Sequence, residues 1–185
     1  MPVQIGAKAH SFADPTGLLS DCHRRIEMFI GSLGAVANRL GSPPDADTRQ
    51  ALETALRYFH EAAPKHTADE EESLFPRLRR LESNEVQQAF SKLDELESEH
   101  RWAEPLHARV ESLGLRYLAD GSLAPSEVEE FRRAVAELSA MYKRHIGVED
   151  SMLFPVASQA LSESDKQAIA EEMAGRRKAP LVNPT

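Results

Sequence analysis

The chain has 185 residues, 41% of them hydrophobic and 28% charged, which is the balance of one globular domain long enough to bury a core without staples. A net charge of -8 disfavours nucleic-acid partners, which need a basic face. A mean hydropathy of -0.45, with no long uncharged apolar run, argues against a membrane span. The single cysteine, Cys22, cannot close an intramolecular disulfide, and the opening MPVQIGAKAHSFADP carries no apolar signal core. The expected setting is the cytoplasm.

Asp14-Pro15 pairs a capping residue with proline at the first helical position and predicts a helix to about Leu40. Gly41-Ser42-Pro43-Pro44 stops it. A second helix is expected from Asp47 to Leu81, bent at Pro64, and a third from about Asn84 to Ala119 with Pro105 inside it. After Asp120-Gly121-Ser122 a fourth runs from about Pro125 to Ala160, and Ser162 opens a short fifth up to about Arg177. Apolar residues at three- and four-residue spacing (Leu52, Leu56 and Phe59; Val128, Phe131, Val135 and Leu138) mark core stripes. The predicted architecture is all-α, an up-down-up-down four-helix bundle over residues 14–161. An N-terminal extension (1–13) precedes it, and a C-terminal helix and tail (162–185) follow. Arg176-Arg177-Lys178 reads as a cationic helix end, favourable against the helix dipole.

An internal repeat carries the chemistry. The second helix contains His66-Thr-Ala-Asp-Glu70-Glu71-Glu-Ser-Leu74-Phe75-Pro76, and the fourth contains His145-Ile-Gly-Val-Glu149-Asp150-Ser-Met-Leu153-Phe154-Pro155. Both read H-x-x-x-E-[ED]-x-x-L-F-P, 79 residues apart. The first and third helices repeat as well, with His23-Arg24-Arg-Ile-Glu27 matched by His100-Arg101-Trp-Ala-Glu104, 77 residues apart. The chain therefore reads as two helical hairpins related by an approximate two-fold axis.

Residues four apart lie on one face of a helix. Each H-x-x-x-E pair presents an imidazole and a carboxylate to one point, and four such helices converge on one internal cavity. A lone pair of this kind is common on helix surfaces, but two long matching strings on alternate helices are not. Buried carboxylates need cationic company, and mixed imidazole and carboxylate donors without thiolates suit iron better than structural zinc. Leu74-Phe75-Pro76 and Leu153-Phe154-Pro155 are expected to dry the cavity mouth.

The order H … HxxxE … H … HxxxE, with Leu-Phe-Pro closing both longer motifs, resembles the bacterial hemerythrin-like (HHE cation-binding) proteins over nearly the whole chain. The resemblance implies two Fe ions in a non-haem di-iron centre, bridged by two carboxylates and a solvent-derived oxygen, with Mn or Zn as substitutes. One ion would take His23 and His66, the other His100 and His145, with Glu70 and Glu149 as bridges. Asp150, five residues after His145, is the alternative to Glu149. Oxygen-carrying hemerythrins have a further histidine one turn along their third helix, where this chain has Glu104. Glu104 is the candidate extra ligand and Glu27 its symmetric counterpart; the alternative for both is contact with their own helix. Extra anionic ligands would favour oxidised iron.

The expected function is binding of, or reaction with, O2, peroxide or NO in redox or iron homeostasis. The alternatives are a di-iron oxidase or peroxidase, and an iron carrier or sensor without turnover. Tyr142 and Tyr58 stand close enough along their helices to reach the surroundings of the site, though core packing is the commoner fate of a helix tyrosine. Cys22 should point about 100° away from His23 as a passive thiol. His10, His60 and His107 lie outside the motifs.

Overall fold

The computed structural model describes residues 10–81 and 84–178, and the side chains of 10–81 and 91–178. All regular structure among them is helical. The first helix, α1 (Pro15–Ala37), starts as its sequence predicts, with the Asp14 carboxylate accepting from Gly17 N–H at 3.0 Å. It ends three residues before Leu40, where Asn38 and Arg39 turn the chain by bonding back to Gly34 and Val36.

The second long segment is divided. Here α2 (Ala46–Glu61) is capped by Asp45, and Ala62 breaks it from α3 (Ala63–Ala68), with Pro64 in the first turn of the new piece. Proline has no N–H to continue the ladder, so the bend expected at Pro64 is a break two residues before it. A π-helical turn, Asp69–Leu74, follows and leads into α4 (Phe75–Leu78). The long α5 (Asn84–Asp120) accommodates Pro105 without ending. The last long segment is α6 (Pro125–Val148), a second π turn Glu149–Leu153, and α7 (Phe154–Ala160). The Ser162 hydroxyl caps α8 (Glu163–Arg177) by accepting from Asp165 N–H at 3.1 Å.

Both π turns precede a Leu-Phe-Pro string, and proline explains them. In a regular helix the rings of Pro76 and Pro155 would strike the carbonyls of Glu72 and Ser151. Instead Phe75 N–H bonds Glu70 C=O, and Phe154 N–H bonds Glu149 C=O, each five residues back. The extra residue widens the turn and turns the glutamate inward. Such bulges inside α-helices occur often at functional sites.

The long helices pack in a ring: α1 against α2 and α6, and α5 against α2 and α6. Gly114 permits the close approach of α5 to α2, since a Cβ there would lie 2.9 Å from Leu56 Cδ1. Buried apolar side chains fall into two clusters. One contains Leu33, Leu52, Leu56, Leu113, Tyr117, Phe131 and Leu138, and the other Leu19, Leu74, Phe75, Leu96, Leu153 and Phe154. Along every long segment a histidine falls between the two, as in Leu19–His23–Ile30 and Leu96–His100–Ala103. The bundle is thus an apolar sandwich with one polar layer. The Leu-Phe pairs, all at most 3% exposed, form the apolar wall on one side of that layer.

Candidate metal centre

The polar layer holds His23, His66, Glu70, Glu149 and His145, at most 4% exposed, with His100 only slightly more open. Four of these donors (His23, His66, Glu70 and Glu149) offer atoms within 4.8 Å of one another, and Glu70, His100 and His145 form a second such group. Glu70 belongs to both. Its Oε1 lies 3.0 Å from His66 Nε2 and its Oε2 3.5 Å from His100 Nε2. Glu149 Oε2 stands 3.1 Å from His23 Nε2 and 3.2 Å from His145 Nε2. Each carboxylate thus spans both hairpins.

These approaches lack hydrogen-bond alignment. Among the described residues, both oxygens of Glu70, both of Glu149 and Nε2 of His23 are buried with no hydrogen-bond partner. Buried polar groups are almost always satisfied, and exceptions call for an explanation such as an ion. His100 Nε2 and His145 Nε2 also face each other at 3.1 Å, within hydrogen-bond distance. Inward lone pairs on imidazole and carboxylate, without thiolate, fit iron or a similar cation.

The outward nitrogens show how the imidazoles are held. Nδ1 of His23 is bonded to Asp150 Oδ1 at 2.9 Å, Nδ1 of His100 to Glu71 at 2.8 Å, and Nδ1 of His145 to Glu99 at 2.9 Å. A carboxylate on Nδ1 fixes the tautomer that directs Nε2 inward and makes it more basic. Glu71 and Asp150 are the second acids of the two E-[ED] strings, and each holds a histidine of the other hairpin. Asp150 also accepts from Ser20 at 2.7 Å, so it stands behind His23 while Glu149 faces the centre.

The outer partners depart from the two-fold at the fourth imidazole, His66. Glu99 precedes His100 as Cys22 precedes His23. Where Glu99 holds His145, the Cys22 thiol lies beside His66 and accepts from Arg25 Nη2 at 3.0 Å. Burial opposes ionisation of this thiol, but His66 and Arg25 outweigh it and hold it below the usual thiol range. The turn away from His23 expected of Cys22 therefore brings it to His66, as a neighbour rather than a passive filler.

The carboxylates raise the proton affinity of the imidazoles they face. Burial opposes charge on His23, yet Asp150, Glu149 and Glu70 outweigh it and push the imidazole up to about 12. His66 is opposed in the same way and raised to about 9, chiefly by Glu70. Glu70 is held well below the carboxylate range, its burial outweighed by His66 and His23. A cation must displace these protons, so its binding is coupled to pH.

Glu27 and Glu104, expected as possible extra ligands, lie outside both donor groups and are exposed. The reason is helix register. On α1 the buried stripe runs Leu19, Cys22, His23, Ile26, Ile30, and on α5 Leu96, Ala103 and Val110 are buried with half-buried His100 on the same face. Ile26 and Ala103 take the inward place one turn on, and the glutamates fall beside it. Glu104 instead lines a groove of about 320 Å3, with Thr67, Glu71, His100, His107 and Tyr142. Thr67, His100 and Tyr142 also line a chamber of about 10 Å3 at the centre, which is room for about one water.

His107 stacks on Phe59 and pairs with the Tyr142 hydroxyl at 2.8 Å. Burial pushes the imidazole down to about 4 and pushes the Tyr142 phenol up. The unfolded chain binds a proton at His107 near 6.5 and the folded chain only near 4, so stability falls as pH drops through that window. His107→Gln is expected to remove up to about 3 kcal/mol of acid destabilisation, read as the change in urea midpoint between pH 7 and pH 4.

Sequence reasoning singled out the histidines, Glu70, Glu149, Glu71 and Asp150 as parts of a repeat, but gave no role to Glu99 or Asp69 and read Arg176 and Arg177 only as a cationic helix end. Asp69 is fully buried beside Glu70 in the π turn and is met by Arg176 Nη1 at 3.0 Å and by Arg177. The cationic end of α8 therefore reaches a buried carboxylate. No local pattern marks a contact between residues 107 positions apart.

Residues 14–157 match the family described as "Hemerythrin HHE cation binding domain". An uncharacterized protein of Haemophilus influenzae is 26% identical over 167 residues, spanning 89% of this chain and 90% of its own length. With four histidines and two buried carboxylates in one polar layer of a helical bundle, and with the family match covering most of its length, the chain belongs to the hemerythrin HHE cation-binding domain family.

Proposed function

We propose that the polar layer holds two iron ions, one on His23 and His66 and the other on His100 and His145, with Glu70 and Glu149 spanning both, and that the pair binds or reacts with O2, peroxide or NO. The observation that carries this reading is the set of four buried carboxylate oxygens without hydrogen-bond partners, ringed by four inward imidazole nitrogens. A bound iron pair supplies two-electron redox chemistry. The protein supplies the rest. It fixes the donors through Asp150, Glu71 and Glu99 and excludes bulk water with the Leu-Phe walls.

With Glu27 and Glu104 exposed, the protein ligand charge is that of Glu70 and Glu149, without further anions to favour oxidised iron. The decisive measurement is made on iron-loaded protein reduced without oxygen. The expected result is two irons per chain and a visible absorption band that develops on exposure to oxygen. A band lost again on evacuation marks reversible carriage or sensing, and irreversible oxidation with peroxide turnover marks an enzyme. Protein that takes up no iron overturns the reading.

The outer carboxylates give a second test. Glu99→Gln, Glu71→Gln and Asp150→Asn are each expected to weaken iron binding by about 10–100-fold, by loosening the imidazole they hold. Cys22→Ser should cost less, because a thiol is a weak hydrogen-bonding partner. Competition against a chelator of known affinity reads both effects.

A further inference from the structure

The chain has three tyrosines, and their hydroxyls meet different acceptors. Tyr117 O–H donates to the Ser42 carbonyl at 2.7 Å, and Tyr58 O–H to the Cys22 carbonyl at 3.4 Å. Tyr142 instead stands 2.8 Å from His107 Nε2. The phenol is the stronger acid of that pair and the imidazole lone pair the stronger base, so Tyr142 donates and Nε2 accepts. An amide carbonyl shares a proton only as a hydrogen bond, whereas an imidazole can take it outright. Tyr142 is therefore the tyrosine with a base in contact.

His107 suits that task. Burial pushes it down to about 4, so it rests neutral with its lone pair available, and it readily gives a proton up again. Its ring lines two grooves, of about 320 and about 170 Å3, where water can carry the proton away.

Tyr142 also lines the central chamber together with His23, His66, His100 and His145. It reaches from the metal donors on one side to a base on the other. Behind it stands a run of rings. Centroids are 6.3 Å apart from Tyr142 to Phe59, 5.3 Å from Phe59 to Tyr58 and 4.3 Å from Tyr58 to Phe29. Rings this close exchange electrons readily, but a phenol gives up an electron favourably only when its proton leaves as well. The base therefore holds an electron vacancy on Tyr142 and keeps it from passing to Tyr58.

Resting on the di-iron reading above, we propose that Tyr142 and His107 form a one-electron donor that guards the chamber when a peroxide meets an iron pair with one electron to give. A peroxide that takes a single electron breaks its O–O bond and releases a hydroxyl radical. Tyr142 supplies the second electron where the first is taken. Its O–H bond breaks, the electron reduces the hydroxyl radical, the proton passes to His107 Nε2, and a neutral phenoxyl remains. Hydrogen peroxide thus takes one electron from the iron pair and one from Tyr142. With one proton from Tyr142 by way of His107 and one from solvent, it leaves as two waters.

The test uses the iron-loaded full chain, reduced by one electron per iron pair, mixed with hydrogen peroxide and freeze-quenched for electron paramagnetic resonance. A parallel sample carries a hydroxyl-radical spin trap, and iron content is measured on both. Wild type is expected to give a tyrosyl signal. Tyr142→Phe should keep its iron, lose that signal and raise the amount of trapped hydroxyl radical, whereas Tyr58→Phe should keep the signal. His107→Gln leaves a hydrogen-bonding partner but no base, and should slow radical formation by about 100-fold, the worth of a positioned base. Metal-free protein oxidised by a flash-generated ruthenium tris-bipyridyl oxidant tests the pair without iron, with the same dependence on Tyr142 and His107 expected. A signal that survives Tyr142→Phe or disappears in Tyr58→Phe overturns the proposal. So does trapped hydroxyl radical no higher in Tyr142→Phe than in wild type, or an undiminished rate in His107→Gln. Two irons per chain without a tyrosyl signal overturns this proposal alone. Fewer than two irons, with Tyr142 still oxidised in the metal-free protein, counts against the di-iron reading and supports the pair.

Discussion

Glu70→Ala is expected to empty both metal positions together, whereas His23→Ala or His145→Ala empties one. Glu70 is fully buried, and its two oxygens are divided between the hairpins, Oε1 toward His66 and Oε2 toward His100. Removing it takes a donor from both groups at once and leaves imidazoles whose raised proton affinity depends on that carboxylate, His66 above all. The loss should exceed the roughly 100-fold that removal of an outer partner costs. Metal content after gel filtration gives the answer. Glu70→Ala should carry almost none, His23→Ala and His145→Ala about half the wild-type content, and all three should keep their helical circular dichroism. Glu70→Gln separates charge from shape: it keeps the volume and one carbonyl oxygen, so if geometry alone held the ions it would retain them. Two ions retained in Glu70→Ala would show that Glu70 is not shared.

The long helices were legible because their ends are chemical. Asp14-Pro15 and Ser162 satisfy orphan amides, and Gly41 through Pro44 cannot continue a helix. The histidines and the E-[ED] strings were legible because the chain states them twice. The inward or outward setting of a residue four places on was not. His66–Glu70 and His23–Glu27 have the same spacing, yet Glu70 is fully buried and Glu27 exposed. The difference lies in the π turn. Pro76 forces an extra residue into the helix after His66, and α1 has no such proline. Leu-Phe-Pro announced a break in the ladder, but periodicity at 3.6 residues cannot express a bond five residues back. Glu99 was invisible for another reason. It has no counterpart in the repeat, because Cys22 occupies the matching place, so nothing but the packing of α5 on α6 brings it to His145.

The contact of α8 with the first π turn leads to the second large effect. Arg176→Ala with Arg177→Ala is expected to destabilise the protein by about 3–5 kcal/mol, since it leaves Asp69 buried without a partner. Asp69→Ala should cost less, toward about 3 kcal/mol, because the arginines are 20% and 23% exposed while Asp69 is fully buried. Freed guanidinium groups can turn to water, whereas a freed Asp69 cannot. Arg176 also donates to Ser73 Oγ at 2.9 Å, so its loss releases the π turn at two points. Because Glu70 sits in that turn, the same variants should release iron to a chelator faster than wild type. Urea unfolding of metal-free protein isolates the ion-pair term, and repeating it with iron bound shows how much of the loss the metal restores. If metal-free double variant and wild type unfold at the same urea concentration, α8 does not latch the π turn. If stability falls but iron release is unchanged, the latch holds the fold and not the site. The expected pattern is that both change, with the double arginine variant the more severe.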